Sequence, residues 1–469
     1  MVSTGSTHGI SVEHTEIPGL LVVRLDVRPD SRGSFEEIWQ REKMTALGLP
    51  DFGPVQSNLS WNTRGTTRGI HAEPWDKYVT LASGRVFVAY VDLREGGTFG
   101  TTVTLELEPG VAVFVPRGVG NSFQTLEDAT AYLYLINEHW RPGVTYPAVR
   151  LDDETLAIDW PIPIAEAEVS EKDRLTPALA DVEPLPRRRT LVLGAGGQVG
   201  RALAEVFPEA DLVGVDALDI TDPAALAAWP WHEYELVLDA AAYTAVDAAE
   251  SDEGRVAAWA ANAAAPAALA RIATEHRLTL VHFSTDYVYD GSRAVHTEDE
   301  PMSPLGAYGQ SKAAGDLAVS TTPRHYLLRT SWVIGDGNNF VRTMRDLADR
   351  GVKPTVVDDQ VGRLTFAPEL ARAARHLVDS GAPFGTYHVS NSGDACSWAD
   401  IAAEVFASFG RDRDDIVRVT TEDYTSGRQV APRPLSGVLD LAKLRATGFE
   451  PEDQLVALRA YCASEPSRP

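Results

Sequence analysis

Two short stretches of the chain place a side chain that can move a proton near a lysine. In TRGIHAEPWDK, His71 precedes Lys77 by six positions. A neutral imidazole is a competent base near neutral pH, and an ammonium group can offset negative charge that develops on an oxygen. In AYGQSK, Tyr308 and Lys312 are four positions apart, so a helix places them on one face, where the lysine can lower the pKa of the phenol. The phenol could then donate its proton to a carbonyl oxygen, and the hydroxyl of Thr285 could hydrogen-bond the same oxygen.

The sequence before about residue 160 predicts a β domain around the first pair. Short apolar segments rich in β-branched residues alternate with glycine and proline turns, which is typical of a sandwich or barrel. We expect His71 and Lys77 to face each other across a hairpin with its turn at 72–76. The predicted strands lie in 20–27, in 77–94 around Ser83-Gly84, in 101–116 around Pro109-Gly110, and in 131–140.

Beyond about residue 190, strand-like segments alternate with alanine-rich helical segments. RTLVLGAGGQVG runs from a strand into a glycine-rich turn, RALAEVF begins a helix, and DLVGVD and ELVLDAAAYT supply further strands. This alternation predicts a doubly wound parallel sheet of the Rossmann type. The segment EPLPRRRT marks the boundary, which gives an all-β domain over 1–184 and an α/β domain over 185–469.

The glycine-rich turn after the first strand of this sheet predicts a dinucleotide site. Glycines there let the backbone approach a pyrophosphate at the N-terminus of a helix. Asp216, after the second strand, could bond the ribose hydroxyls and favours NADH, whereas Arg201 could hold a 2′-phosphate, so the choice between NADH and NADPH stays open. The turn contributes Gly194, Gly196, Gly197, Gln198, Val199 and Gly200 to the predicted cofactor site.

Basic and amide side chains accompany His71 in the N-terminal part. Several cations around one cavity of an acidic protein point to an anionic ligand with a pyrophosphate. A cupin metal site needs two or three histidines and a carboxylate, and only His71 and His139 are available, so we expect no metal. The residues that suggest the anion site are Arg32, Gln56, Asn58, Arg68 and Lys77.

Overall composition narrows the class of protein. The 469 residues carry a formal net charge of −25 at pH 7, which argues against nucleic acid or an anionic membrane surface as the main partner. The N-terminus lacks the basic n-region and the apolar h-region of a signal peptide, and no apolar run is long enough to span a membrane. We therefore expect a cytoplasmic protein. Cys396 and Cys462 belong to no Cys/His cluster, which disfavours a thiolate metal site or a disulfide framework.

The C-terminal part resembles the extended short-chain dehydrogenase/reductases and, more closely, the dTDP-4-dehydrorhamnose reductases. The resemblance covers most of 190–460, in GAGGQVG, AAAYTAVDAAES, STDYVYDG, YGQSK, RTSW, NNFV and DDQVGRLT. It implies NADH- or NADPH-dependent hydride transfer to a sugar C4 ketone and a small C-terminal substrate-binding subdomain. The implied residues are Thr285, Tyr308 and Lys312 for catalysis, Ala241 and Ala242 for the cofactor, and Trp332 for the sugar nucleotide.

The N-terminal part resembles the dTDP-4-dehydrorhamnose 3,5-epimerases over about residues 15–180. The matching stretches are DSRGSFEE, QSNLSWNTRGTTRGIH, KYVTLASGRVFVAYVDLREGGTFG, VPRGVGNSFQTL and LDDETLAIDWP. The resemblance implies a cupin-like jelly-roll barrel that needs no cofactor and pairs as a homodimer. It assigns proton abstraction beside a ketone to His71 backed by Asp173, enolate stabilisation to Lys77, and reprotonation from the opposite face to Tyr134. The implied substrate contacts are Arg32, Glu37, Gln56, Asn58, Arg68 and Asn121.

Three positions depart from the family patterns. Asn121 stands where the epimerases usually have a histidine, and the 72–76 connection is several residues shorter than usual, so epimerisation at one carbon or at both stays open. Asp239 stands where the reductases usually have asparagine. It could alter the surroundings of the cofactor, but we expect it to touch no catalytic group.

The two resemblances together predict a bifunctional enzyme that converts dTDP-4-dehydro-6-deoxyglucose to dTDP-L-rhamnose for cell-envelope polysaccharide. Inversion beside a C4 ketone leaves a keto sugar, which the second domain would reduce. One alternative is a single-site epimerase and 4-reductase that makes another dTDP-6-deoxyhexose. Another is a reductase whose cupin domain only binds sugar nucleotide or mediates dimerisation.

Overall fold

The computed structural model describes residues 3–7, 9–140 and 142–464 and divides into two compact units, Met1–Arg187 and Arg188–Pro469. The N-terminal unit is rich in β-strands, as the alternating apolar segments predict. Its strands are β1 Ser3–Thr7, β2 Ile10–His14, β3 Leu21–Arg24, β4 Val27–Asp30, β5 Gly33–Glu36, β6 Gln56–Asn62, β7 Thr66–His71, β8 Lys77–Ser83, β9 Val86–Asp92, β10 Thr102–Leu107, β11 Val111–Val115, β12 Val119–Thr125, β13 Thr130–Ile136 and β14 Glu168–Val169. Its short helices are α1 Arg41–Ala46 and α2 Glu171–Arg174.

Two sheets enclose the core of the N-terminal unit. One has the strand order β1-β2-β3-β11-β8-β13-β6 and the other β10-β9-β12-β7-β14, while β4 and β5 form a separate ribbon. Side chains from both sheets meet in one apolar cluster, with Val79 and Val113 from the first and Val88 and Phe123 from the second. The sheets are therefore packed face to face.

The connection at 72–76 is not a hairpin turn, so that prediction is wrong. β7 and β8 belong to different sheets, and the connection carries the chain from one sheet to the other. Its backbone and side chains bond to other segments instead of closing a turn: the amide of Ala72 donates to Pro147, and the carboxylate of Asp76 accepts from the Arg117 amide at 2.9 Å and the Asn137 side chain at 2.8 Å. These bonds fix where β8 starts, and with it Lys77.

The C-terminal unit contains the predicted parallel sheet, in the order β16-β15-β17-β18-β19-β24 with every pair parallel. The strands are β15 Arg189–Leu193, β16 Asp211–Val213, β17 Tyr234–Asp239, β18 Thr279–Thr285, β19 His325–Thr330, β20 Val333–Ile334, β21 Thr355–Val357, β22 Val361–Gly362, β23 Thr365–Phe366, β24 Gly385–Val389, β25 Cys396–Ser397 and β26 Val417–Val419. The helices are α3 Gln198–Val206, α4 Pro223–Ala228, α5 Asp252–Trp259, α6 Ala265–His276, α7 Ala307–Val319, α8 Phe340–Asp349, α9 Ala367–Asp379, α10 Trp398–Ser408, α11 Thr421–Thr425, α12 Ala442–Arg445 and α13 Gln454–Ser464.

Helices cover both faces of this sheet because its strands are apolar on both sides. Val192 points into a cluster with α3 and α9, whereas its neighbours Leu191 and Leu193 point into a cluster with α4 and α6. A further core joins α8, α10 and α13 beside the sheet. The order of the strands reverses between β15 and β17, and ligands of open α/β sheets bind at such a point, outside the carboxyl ends of the strands.

One helical stretch of the described chain, Asp252–His276, is long and apolar enough by length and composition to cross a membrane. It comprises α5, a π-helical segment and α6. Buried alanines and Leu269 of α6 pack against the parallel sheet. The core helix of a globular domain satisfies the same two criteria, and α6 packs in this way.

Candidate active sites

A cavity of about 530 Å³ in the N-terminal unit collects most of the predicted epimerase residues. β6, β7, β8, β12 and β13 supply its walls, and α2 contributes Asp173 from a position far along the chain. The predicted residues that line it are Gln56, Asn58, Arg68, His71, Lys77, Asn121, Tyr134 and Asp173. Eight side chains chosen from the sequence thus share one cavity.

Two predicted residues do not reach this cavity within the chain. Arg32 lies at the turn of the β4–β5 ribbon, where its side chain is 87 % exposed and pairs with Asp30 at 2.6 Å. Glu37, just after β5, pairs with Lys43 of α1 at 2.8 Å. Neither is among the residues that line the cavity.

His71 and Asp173 form a hydrogen-bonded dyad, with Nε2 of His71 2.8 Å from Oδ1 of Asp173. Ser170 caps α2 and accepts the Asp173 amide at 3.1 Å, which fixes the carboxylate. Burial acts to raise the pKa of Asp173, but the hydrogen bond and charge of His71, aided by Ser170 and the Gly69 amide, hold it below its usual value. Since an ionised carboxylate only accepts, Nε2 carries a proton, and in the neutral form of the ring Nδ1 is then the nitrogen with the lone pair. The arrangement is that of a supported base.

Lys77 is buried and forms an ion pair of 2.5 Å with Glu73. Its ammonium also lies 5.6 Å from the centre of the Tyr134 ring. Burial raises the pKa of Tyr134, the charge of Glu73 adds to the rise, and Arg68 opposes it. Tyr134 therefore keeps its proton at neutral pH, as an acid must.

Glu73 is a cavity residue that the sequence analysis missed. Its Oε1 pairs with Lys77, whereas its Oε2 is buried and makes no hydrogen bond within the described residues. The only signal in the sequence is a carboxylate four positions before Lys77, a spacing too common to single out. Asn121 is also engaged, since its Oδ1 accepts the Tyr132 hydroxyl at 3.0 Å.

The glycine-rich turn of the C-terminal unit combines close packing with open space. A Cβ on Gly194 would lie 2.6 Å from the amide nitrogen of Ala241, and one on Gly200 would lie 2.2 Å from the Gly194 carbonyl oxygen. A Cβ on Gly196, in contrast, would meet no atom within 4 Å. Gly197 caps α3 and, having no side chain, makes no capping hydrogen bond to the first amides of the helix. This cradle fits the pyrophosphate of a dinucleotide.

The other predicted cofactor residues have different environments. Gln198 accepts the Gly335 amide at 2.7 Å, and Arg201 bonds to the carbonyl oxygens of Gly196 and Asp336. Asp216 lies exposed three residues beyond the end of β16. Val199 lies in the first turn of α3, and Ala241 and Ala242 follow the carboxyl end of β17.

Tyr308 and Lys312 lie on α7, as their spacing predicts, and Thr285 ends β18. The expectation that Lys312 lowers the pKa of Tyr308 is wrong in this structure. Burial raises that pKa, the charge of Asp286 adds to it, and a hydrogen bond with Thr285 only partly opposes them. Lys312 instead donates to the carbonyl oxygen of Phe283 at 2.7 Å. Tyr308 is therefore a protonated phenol.

Asp286 is a second residue without a predicted role. It is buried, and burial raises its pKa to about 7. Its Oδ1 accepts the Thr285 hydroxyl at 3.0 Å, while Oδ2 has no hydrogen-bond partner in the described residues. A carboxyl that titrates near neutral pH beside Tyr308 is typical of a functional site.

A larger cavity of about 750 Å³ lies in the C-terminal unit and reaches Tyr287, the neighbour of Asp286. Aromatic and basic side chains line it, including Trp398, Tyr424 and Arg428. Trp332 is not itself in the lining but stacks on Trp398, with ring centroids 3.8 Å apart. Its dimensions and its stacking surfaces suit a nucleotide. Within the described residues, no group of three or more His, Cys, Asp or Glu side chains could hold a metal ion.

Both halves of the chain match known families. Residues 14–181 match the family model described as dTDP-4-dehydrorhamnose 3,5-epimerase, and residues 188–465 match the one described as RmlD substrate binding domain. The N-terminal half is 45% identical over 180 residues to a protein RmlC homolog of Streptococcus pyogenes, an alignment that covers 37% of this chain and 91% of that protein.

The C-terminal half has relatives of its own. It is 42% identical over 281 residues to a probable dTDP-4,6-dihydroxy-2-methyloxan-3-one 4-ketoreductase of Streptomyces antibioticus, covering 58% of this chain and 93% of that protein. A solved dTDP-4-dehydrorhamnose reductase of Bacillus anthracis in complex with NADP is 31% identical, with a TM-score of 0.55 and coverage of 60% of this chain and 100% of that one. Each half thus matches nearly the full length of a separate protein.

Proposed function

The chain belongs to the dTDP-4-dehydrorhamnose 3,5-epimerase family through residues 14–181 and to the RmlD family through residues 188–465, and on this premise we propose a bifunctional enzyme that makes dTDP-L-rhamnose. The substrate is dTDP-4-dehydro-6-deoxyglucose. The N-terminal unit, a cupin-like jelly roll, inverts C3 and C5, and the C-terminal unit reduces the C4 ketone. The observation that carries the proposal is the His71–Asp173 dyad in one cavity with Lys77 and Tyr134.

In the epimerase step His71 removes a proton from the carbon beside the ketone. The electrons of the broken carbon–hydrogen bond pass to the C4 oxygen, and Lys77 stabilises the enolate that forms. Tyr134 then returns a proton to the opposite face of the same carbon, which inverts it. Asp173 holds the tautomer that leaves Nδ1 of His71 free to accept. No cofactor is needed, because the ketone already acidifies the proton.

In the reductase step the nicotinamide cofactor, when bound, supplies a hydride to C4. Tyr308 donates its proton to the C4 oxygen, and the hydroxyl of Thr285 hydrogen-bonds the same oxygen. The cradle at Gly194–Gly200 would hold the pyrophosphate of the cofactor, and the 750 Å³ cavity of the C-terminal unit would hold the sugar nucleotide. The NADP complex of the Bacillus anthracis relative favours NADPH over NADH.

We infer that the N-terminal unit also forms a homodimer. β6 is the last strand of its sheet, and it exposes Leu59 and Trp61, with 50% and 65% of their surface accessible. Sedimentation of the full chain tests this inference, since a monomer at micromolar concentration would contradict it. We infer a cytoplasmic location from the proposed nucleotide-sugar substrate and nicotinamide cofactor, and cell fractionation can check it.

Two variants separate the two activities. His71→Ala should lower the incorporation of solvent deuterium at the sugar carbons by at least about 100-fold, yet still reduce a sugar that is already epimerised. Tyr308→Phe should block NADPH oxidation and leave deuterium incorporation unchanged. Normal exchange by His71→Ala would contradict the assigned base, and an unchanged rate of reduction by Tyr308→Phe would contradict the assigned acid.

A second candidate function is the synthesis of a different dTDP-6-deoxyhexose after inversion at a single carbon. The Streptomyces antibioticus relative, named as a ketoreductase for another keto sugar, and Asn121 in place of the usual histidine favour it. Nuclear magnetic resonance of the product distinguishes the two, because only double inversion gives the L-rhamno configuration. A third possibility, a purely binding N-terminal unit, predicts no deuterium exchange at all in the absence of NADPH.

A further inference from the structure

Three polar side chains form a buried row behind the reductase site. Oδ2 of Asp239, at the end of β17, lies 2.8 Å from Nδ1 of His282 on β18. Nε2 of the same imidazole lies 3.1 Å from Nζ of Lys312 on α7. All three residues are at least 99 % buried. Burial of charge is costly unless each group is paired, so a row of this kind needs a physical reason.

The hydrogen bonds limit where the protons of the row can lie. An ionised Asp239 accepts through both oxygens, through Oδ1 from the Ala241 amide at 3.3 Å and through Oδ2 from Nδ1 of His282. Nδ1 of His282 must then be the donor, which leaves Nε2 as an acceptor for the Lys312 ammonium. Lysine holds its proton far more tightly than histidine in water, so the shared proton belongs to Lys312.

We propose that Asp239 and His282 are positioning residues for Lys312, which keep its ammonium charged and aimed during reduction. This inference rests on the proposed reductase function. Two of the three ammonium hydrogens are committed, one to His282 and one to the carbonyl oxygen of Phe283. The third is directed by those two toward the remaining side of the group. Lys312 shares a face of α7 with Tyr308. In this proposal its positive charge offsets the negative charge that develops as Tyr308 gives up its proton, whereas burial and Asp286 keep the resting pKa of Tyr308 raised.

This chain has a charged aspartate, Asp239, where the reductases usually have a neutral asparagine. Asparagine, the usual residue there, could accept the same hydrogen bond from His282 but would bring no negative charge. Burial lowers the pKa of Lys312, and the charges of Asp316 and Asp239 oppose that effect. Asp316 is itself paired with Arg329 at 2.9 Å, which offsets its influence. Asp239 therefore supplies the less compensated of the two negative charges.

Other groups face the same region and bear on any pH effect. On α7 these groups are Tyr308, whose pKa burial raises, and Asp316, which pairs with Arg329 of β19. From the end of β18 comes Asp286, whose pKa is about 7. Asp286 titrates in the native enzyme whether or not Asp239 is charged. A change confined to the alkaline side therefore reports on Lys312.

Nitrogen NMR of histidine-labelled wild-type enzyme without cofactor tests the proton assignment directly. The signals of His282, identified by their loss in His282→Gln, should be those of a ring protonated at Nδ1 and not at Nε2. A ring protonated at Nε2, or a doubly protonated ring, would overturn the inference. This measurement needs no activity and no folded Asp239 variant.

The second test is Asp239→Asn, which keeps the size of the side chain and removes its charge. With an epimerised keto sugar and NADPH, the alkaline limb of kcat should move about one pH unit lower, while the acid limb stays in place. At about pH 9 the variant should lose roughly ten-fold in kcat. Asp211→Asn removes the same charge from the edge strand β16 of the same sheet, where the carboxylate pairs with Arg189, and should leave the profile unchanged.

The outcomes separate this inference from the proposed function. A wild-type enzyme that does not reduce the keto sugar contradicts the proposed function. A wild-type enzyme that does, combined with the same alkaline limb in Asp239→Asn, contradicts the positioning role. If Asp239→Asn does not fold, the NMR assignment of His282 decides alone, because a structural role would not require the Nδ1-protonated neutral ring.

Discussion

Replacement of Asp286 by asparagine should change how the stability of the C-terminal unit depends on pH. The carboxyl group is 98 % buried, and one of its oxygens has no hydrogen-bond partner in the described residues. Burial raises its pKa from the ordinary value of 3.8 to about 7, since the ionised form loses its hydration. The native structure therefore holds this proton more tightly than the unfolded chain does.

The sign and size of the effect follow from linkage. Below the unfolded pKa of 3.8, Asp286 is protonated in both the native and the unfolded state, so it does not change the free energy of unfolding with pH. As the pH rises toward 7, Asp286 ionises first in the unfolded chain, which favours unfolding. Once the native carboxyl ionises too, the free energy of unfolding has fallen by about 4 kcal/mol in total. Of that total, roughly 2.5 kcal/mol is lost between about pH 5 and about pH 8.

Urea unfolding of the full chain at these two pH values measures the effect. The free energy of unfolding should fall by roughly 2.5 kcal/mol more in the wild type than in Asp286→Asn. The cost of burying the new amide is the same at both pH values and cancels. Asp299→Asn removes the same charge at an exposed position of the same unit and should behave as the wild type. Parallel losses of stability in the wild type and Asp286→Asn would refute the reasoning.

Two further substitutions test the epimerase dyad and the dinucleotide cradle. Asp173→Asn should slow solvent deuterium exchange by about 100-fold or more, because an amide can hold His71 in the wrong tautomer, while reduction of an epimerised sugar continues; full exchange would exclude the dyad. Gly200→Ala should abolish NADPH binding in a fluorescence titration, since its Cβ would lie 2.2 Å from a carbonyl oxygen. Gly196→Ala, whose Cβ would meet no atom within 4 Å, should keep the melting temperature of the wild type. Equal melting temperatures of Gly196→Ala and Gly200→Ala would contradict the packing.

The parallel sheet was predictable from sequence because its signals are local. Strand-like runs such as RTLVLG carry their own periodicity, and the glycine-rich turn follows the first of them directly. The N-terminal strands within 20–27, 77–94, 101–116 and 131–140 were predictable for the same reason. Their pairing was not, because β7 and β8 lie in different sheets and only the hydrogen bonds of Asp76 to distant segments decide this.

The sites divide in the same way between local and distant information. His71 and Asp173 are 102 positions apart, and only resemblance to a family could join them before the structure did. No sequence motif singled out Glu73 or His282. Their proposed roles depend on partners that only the folded chain brings near, Lys77 for Glu73 and Asp239 and Lys312 for His282. The pKa of Tyr308 was misjudged because the spacing of α7 says nothing about its burial or about Asp286.

The two proposed activities are chemically ordered, whatever the arrangement of the units. Proton removal by His71 requires the C4 ketone, since only the ketone accepts the electrons of the broken carbon–hydrogen bond. Once Tyr308 has completed the reduction, C4 is an alcohol and the neighbouring protons are no longer acidic. Epimerisation must therefore come first, and it is reversible until reduction fixes the inverted carbons. A chain with both sites couples a reversible step to one that removes its product, so the reductase selects the configuration that accumulates.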